Sequence, residues 1–196
     1  MANPNVGLLY PVWAKLNAHT DGSMPTYGTG RVIQEARNVN ITYEYANNPL
    51  YGDDRIVDDD NGLTGLTISF ESTGLNDQDR ITVLGEEAWG TTAQWVSDSG
   101  SDWGGFGYIR RMRENGVRKF EAWVTLKIKF AEESQSTATK EGSITWGTPT
   151  LNGRAAALYV DTSGKGRFQL HQTFETIDAA KSFINTMLNV PSPTTT

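Results

Sequence analysis

Apolar and polar residues alternate with a period of two in three parts of the chain. Val39, Ile41, Tyr43 and Tyr45 alternate with Asn38, Asn40, Thr42 and Glu44, and Leu66, Ile68 and Phe70 alternate with Thr67, Ser69 and Glu71. Phe120, Ala122, Val124, Leu126, Ile128 and Phe130 alternate with Glu121, Trp123, Thr125, Lys127 and Lys129. Successive side chains of a strand point to opposite faces, so each run predicts a strand with one buried face. The first extends over 31–47. Asn115-Gly116 separates 108–113 from 117–130 and suits a tight hairpin, whose turn needs positive φ angles. Ile144 with Trp146, the stretch 155–160, and Phe168, Leu170 and Phe174 predict further strands, with Asn152-Gly153 as a second hairpin turn.

The helical period is rarer. Leu75, Ile81 and Leu84 can share one face of a short helix that Gly85 stops. Thr176 can cap a final helix carrying Ile177, Ala180, Ile184, Met187 and Leu188 on one face, ended by Pro191. The segment 1–27 is rich in glycine, proline, asparagine and small polar residues, and predicts an irregular arm or a loop pinned to a neighbour. Residues 48–61 open on the turn signals Asn48-Pro49 and Gly52 and predict a long loop between two strands, while 190–196 predicts a short tail. The expectation is a mainly β, α+β chain in one domain, 1–196. It would be an antiparallel β-sandwich or barrel with a short flanking helix and a C-terminal helix.

Composition narrows the function. The chain has 196 residues and a net charge of −6, which argues against ordinary nucleic-acid binding through basic side chains. Cysteine is absent and the only histidines are His19 and His171, which excludes disulfides, thiol nucleophiles and multi-histidine metal centres. Residues 1–5 lack the basic region of a signal peptide, and no apolar run reaches the ~20 residues that span a bilayer. Synthesis in the cytosol is the expectation.

Candidate chemistry is thin. Asp53, Asp54, Asp58, Asp59 and Asp60 crowd the 48–61 loop around Arg55, but no register places acids and Gly62 as a calcium loop of the EF-hand type requires. Glu86 and Glu87 lie beside Trp89 and Trp95, yet carboxylates this close in sequence rarely face each other across a sugar cleft. A serine–histidine–acid triad would need His19 or His171 as base, and no nucleophile elbow is present. His171 falls on the polar side of its strand, as a surface histidine would. Gly104-Gly105-Phe106-Gly107 lacks the lysine of a phosphate loop, opens no helix, and is expected to form a turn before the hairpin. The residues predict no enzyme, cofactor or metal.

Four stretches in order carry a resemblance. They are "NITYEYANNPLYGDDRIVDDDNGLTGLTISFE" at 40–71, "LNDQDRITVLG" after it, "GFGYIRRMRENGVRKFEAWVTLKIKFAEESQSTATKEGSITWGTPTLNG" at 105–153, and "FETIDAAKSFINTML" near the end. In this order, over about 28–189, the chain resembles the major tail tube protein family of long-tailed, non-contractile bacteriophages. The resemblance implies a β-sandwich or barrel core whose subunits form hexameric rings. Stacked rings would make the tube that conducts DNA to the host. It implies tape-measure, tail-terminator and tail-tip proteins as partners, DNA passing without specific binding, no membrane, and a place in the virion tail after assembly in the host cytoplasm. Family members often append an immunoglobulin-like domain, which a chain ending at Thr196 is expected to lack; residues 97–102 have no counterpart in the family pattern.

Two surfaces follow as expectations. Asn40, Thr42 and Glu44 with Thr67, Ser69 and Glu71 would share one side of adjoining strands and face the lumen, or else a ring-to-ring or outer surface. Acids there would repel the DNA backbone. Residues 48–61 would be an inter-subunit arm burying Leu50, Tyr51, Ile56 and Val57 on a neighbour, with Arg55 among its acids. Those acids would meet Arg110, Arg111, Arg113 or Lys119 of the next subunit. The competing expectation is an arm folded back on its own core. A different class of function, a monomeric β-sandwich carbohydrate-binding module, would use Trp89, Trp95 or Trp103 as stacking platforms; a β-sandwich hydrolase is a third.

Overall fold

A computed structural model describes residues 5–33, 36–53, 55–60, 62–91, 93–96, 100–134 and 148–191. The strands are β1 (Asn5–Ala18), β2 (Thr26–Tyr27), β3 (Arg31–Val32), β4 (Ala36–Tyr45), β5 (Asn48–Gly52), β6 (Arg55–Asp60) and β7 (Leu63–Ser72). They continue as β8 (Glu87–Trp89), β9 (Ala93–Trp95), β10 (Gly104–Glu114), β11 (Val117–Ser134), β12 (Thr150–Ala155) and β13 (Gln169–Phe174). Helix α1 (Asp77–Asp79) runs into a π turn (Arg80–Leu84), and α2 (Ile177–Met187) follows β13.

The main sheet is antiparallel, in the order β2-β1-β10-β11-β12-β7-β4, with β13 on β11 and β3 on β1. Strand β11 organises it. Its first half, Phe120 to Thr125, pairs with β13, and its second half, Ile128 to Ser134, pairs with β12. The sheet curls until β4 lies against β1 without pairing, so the barrel keeps an open seam. Tyr43 of β4 also reaches β13, donating its hydroxyl to Gln169 at 3.4 Å.

Two hydrophobic cores result. Inside the curl lie Trp13, Leu66, Ile68, Phe70, Phe106, Tyr108, Ile128, Phe130 and Leu151. On the outer face Val12, Ala14, Ile109, Ala122, Val124 and Leu126 pack under Ala180, Ile184 and Leu188 of the α2 end. Burying an Ile or Leu side chain stabilises by roughly 1.5–3 kcal/mol, so α2 is held mainly by this face. The predicted cap holds: Thr176 accepts a hydrogen bond from the Ala179 N–H.

The mainly-β architecture with two helices agrees with the sequence, and several local expectations are corrected. Much of the segment expected to be irregular is strand: β1 spans 14 residues, Asn5–Ala18, and sits mid-sheet. Its neighbours Val12, Trp13 and Ala14 are all buried because both faces meet a core, which erases polar alternation. Gly104–Gly107 is not a turn but buried strand β10. A Cβ on Gly105 would stand 2.6 Å from Leu188 Cδ2 and one on Gly107 3.0 Å from Ile184 Cγ2, so these glycines let α2 seat directly on the sheet. Asn152-Gly153 does not turn; it lies within β12, paired on both sides, where a Cβ on Gly153 would stand 2.6 Å from Phe130 Cε1.

The 155–160 strand reduces to the end of β12 and one bridge, Leu158 to Arg167. The 31–47 strand divides into β3 on β1 and β4 on β7. The 75–84 helix is one short turn of α1 extended by the π turn, stopped by Gly85 at φ 74° as expected. Ile144 and Trp146 lie outside the described residues.

Candidate functional site

The outer face of β11, β12, β7 and β4 is where the uncovered polar residues gather. The register aligns Asn40 with Ser69 and Thr42 with Thr67, while Glu71 faces Asn38 and Glu44 faces Gly65. The next strand adds Thr150, Asn152 and Arg154 opposite Glu71, Ser69 and Thr67, and β11 adds Lys129 opposite Arg154. The inward partners on these strands, such as Ile68 and Phe70, are fully buried. All six residues expected on one side therefore share it.

The charge of that face differs from the expectation. Glu44 accepts from Thr67 Oγ1 at 2.9 Å and lies 3.5 Å from Arg154 Nη2, and Glu71 is 3.2 Å from Arg37 Nη1. Both carboxylates are matched by arginines, and Lys127 and Lys129 add cations over the Trp103 ring at 4.8 and 5.3 Å. The surface is a carpet of small hydrogen-bonding side chains with two arginine-matched carboxylates and two further lysines, not an acidic strip. Sequence order hides these pairs, since Glu44 and Arg154 come from distant strands.

Residues 48–61 are not a loop. β5 and β6 pair from Asn48–Asp60 to Gly52–Arg55, and the Ala46 N–H donates to Gly62 O at 2.7 Å between this ladder and that of β4 and β7. The acidic segment is thus the distal half of one long hairpin, turning at Asp53, whose φ of 50° is a left-handed value that aspartate tolerates. Leu50, Tyr51, Arg55, Ile56, Val57, Asp58, Asp59 and Asp60 lie on β5 and β6, while Asp54 lies outside the described residues.

The four proposed basic partners divide. Arg110 Nη2 is 2.8 Å from Glu121 and its guanidinium lies 4.5 Å over the Trp123 ring; Lys119 Nζ is 2.7 Å from Glu114 and 3.2 Å from Glu175. Hydrogen bonding to Glu114, then to Glu175, raises the Lys119 pKa. Those two cations are already satisfied within the chain. Arg111 and Arg113 make no ion pair among the described residues. Neither does Arg118, which pairs with Arg113 across the β10–β11 ladder and which sequence reasoning missed. Like charges directly opposite repel, so this tip favours an external anion.

His171 stacks on Trp123 with centroids 4.4 Å apart, and its Nδ1 is 3.3 Å from Glu121. Burial works to raise the Glu121 pKa. The neighbouring Trp123 indole, the Arg110 hydrogen bond, and the charges of Arg110 and His171 outweigh it and hold the carboxyl below its ordinary range. His19 lies 3.8 Å from Asp21 on a different part of the chain.

Glu86 is tied at 3.2 Å to Arg80, which also binds Glu132 at 2.8 Å. Glu87, Trp89 and Trp95 lie on one face of the β8–β9 hairpin, with the two indoles 5.6 Å apart and inclined at 59°. That inclination does not make a flat sugar platform, and Trp103 is covered by two lysine ammonium groups. Among the described residues no group of three or more His, Cys, Asp or Glu side chains could hold a metal ion, and no helix is long and apolar enough to cross a membrane.

No protein-family model and no curated protein matches the chain. Among solved structures it is similar to a chain in the six-fold symmetrised cryo-EM structure of the anti-feeding prophage baseplate. The TM-score is 0.38 and the identity 12%, over 88% of this chain and 97% of that one.

Proposed function

We propose that the chain is the structural subunit of a phage tail tube, which assembles with itself into stacked hexameric rings around a channel for DNA. The observation that carries this function is the polar face of β4, β7 and β12, uncovered among the described residues and backed by the apolar inner core. On these three strands a wall of Asn, Ser and Thr with arginine-matched carboxylates offers hydrogen bonds to water and balanced charge to a passing phosphate backbone, while Lys127 and Lys129 of the adjoining β11 add positive charge beside it. The ordered sequence segments resembling the tail tube family supply the identity of the conduit.

Assembly has physical support in the rest of the surface. Among the described residues the outer edge of β13 has no strand partner, and unpaired edges are templates for another chain. The β5–β6 hairpin extends the β4–β7 ladder as an acidic arm, and Arg111, Arg113 and Arg118, without an ion pair among the described residues, offer cations for it on a neighbour. A head-to-tail contact of this kind can close into a ring, and a second one can stack rings. In this proposal the protein has no catalytic activity and takes no cofactor. It sits in the virion tail and meets the tape-measure, terminator and tail-tip proteins, with assembly in the host cytoplasm. Negative-stain microscopy of the purified protein tests it. Rings or tubes with an axial channel are expected; a monodisperse monomer that binds polysaccharide would replace the proposal with the carbohydrate-binding module.

A further inference from the structure

Trp89 and Trp95 are 62% and 55% exposed, and Val96 beside them is 85% exposed. They belong to a two-stranded hairpin outside the main sheet, pinched at its base where a Cβ on Gly85 would stand 2.7 Å from Gly100 O. The ladder aligns Glu87 with Trp95 and Trp89 with Ala93, so one face presents two indoles and one carboxylate. Glu87 has no cation partner among the described residues. The base of this hairpin lies along β11 and β12, where Ser101 donates its hydroxyl to Phe130 O.

A groove of about 430 Å³ lies elsewhere, across β1, β3 and the start of α2. Leu9, Pro11, Val32 and Ile177 line it, and Lys181 stands at its edge over the Tyr10 ring at 5.3 Å. Lys181 has no carboxylate partner among the described residues. Strands β10 and β11 separate β12 from β1 in the sheet, so the hairpin and the groove occupy different parts of the surface.

We propose that the Trp89–Trp95 face of one subunit docks in the Leu9–Pro11–Val32–Ile177 groove of the next, with Glu87 meeting Lys181. The contact rests on the self-assembly proposed above and names one of its interfaces. Both patches are apolar, Glu87 on the knob and Lys181 at the groove carry opposite charges, and as different patches of one chain they make a heterologous contact. The exposed knob amounts to roughly 400 Å², well below the ~1,000 Å² of a stable interface. It therefore acts with the other ring contacts and does not hold a dimer by itself. Buried tryptophans in such contacts are the residues whose truncation costs most.

The absence of cysteine makes the test direct. Thr91→Cys at the hairpin turn and Val32→Cys in the groove are made in separately tagged proteins, mixed under assembling conditions and joined with a short bismaleimide. The expected product is the mixed dimer, well above the homodimer from either protein alone. Trp89→Ser with Trp95→Ser should lower its yield roughly tenfold, equivalent to about 1.4 kcal/mol, with an unchanged melting curve. Glu87→Lys should weaken it and added Lys181→Glu restore it. Tubes by microscopy without the mixed crosslink, or a crosslink indifferent to the tryptophans, overturns this contact and leaves the tube standing. Neither tubes nor crosslink overturns both.

Discussion

Gly105 on β10 and Leu188 at the end of α2 are so close that a Cβ on the glycine would stand 2.6 Å from Leu188 Cδ2. The same Cβ would meet Tyr27 Cε1 at 2.7 Å, and Tyr27 is fixed by its hydroxyl donating to Leu126 O at 2.6 Å. Neither neighbour can retreat without disturbing the outer core. Gly105→Ala should destabilise by about 1–3 kcal/mol, the usual cost of overpacking. Urea unfolding measures it; Leu188→Ala removes buried core side chain and is itself destabilising, but the double variant Gly105→Ala with Leu188→Ala should lose less than the sum of the two single losses because the clash with the leucine is then gone.

Arg80 is the second structural pivot. It joins the π turn to Glu132 at the end of β11 and to Glu86, with the carboxylate side chains only 16% and 8% exposed. Hydrogen bonding to Glu132 raises the Arg80 pKa despite burial, so the charge is secure. Arg80→Ala should cost roughly 2–3 kcal/mol, slightly less than breaking a fully buried pair because some solvent reaches the site. Arg80→Lys should recover less than half, since one ammonium cannot reproduce the forked contacts. Thermal melting of the two variants provides the comparison.

Acid should act through Glu121. Its folded pKa lies below the ordinary value of 4.5, so the unfolded chain binds the proton more readily. Stability from this group is complete above 4.5 and is lost as pH falls through the folded pKa. Glu121→Gln should be less stable than the parent at neutral pH and should flatten the dependence below 4.5. Urea midpoints across that range report the slope; an unchanged slope would mean that Arg110 and His171 do not hold the carboxylate.

What could be read from the sequence depended on where solvent lies. β4 and β7 were legible because one face meets water, so Asn40 and Ser69 stand out against Ile41 and Phe70. β1 was not, since Trp13 enters the inner core while Val12 and Ala14 enter the outer one. Gly105, Gly107 and Gly153 resembled turn residues because composition records their missing side chain and not the neighbour that needs the space. At the candidate site, the shared face followed from the period of two. The arginines that neutralise Glu44 and Glu71 did not, because pairing between strands distant in sequence is decided by topology. The acidic segment had turn signals at its start and too little alternation to disclose the β5–β6 ladder.

The hairpin should matter for assembly and not for folding. Replacing residues 50–60 with a short glycine bridge removes the distal ladder and leaves β4 and β7 paired from Ala36–Ser72 to Tyr45–Leu63. The variant should keep the parent's circular dichroism spectrum and elute as a monomer in light-scattering chromatography. Normal tubes from it would remove the arm from the assembly account.

The most direct measurement is a helical reconstruction by cryo-microscopy of the polymer formed by the purified protein. The account predicts a closed wall of six-subunit rings with the Asn40, Thr42, Thr67 and Ser69 face on the axial channel and α2 away from it. A polymer whose channel is lined by α2, or a protein that stays monomeric at every concentration and salt, would contradict it.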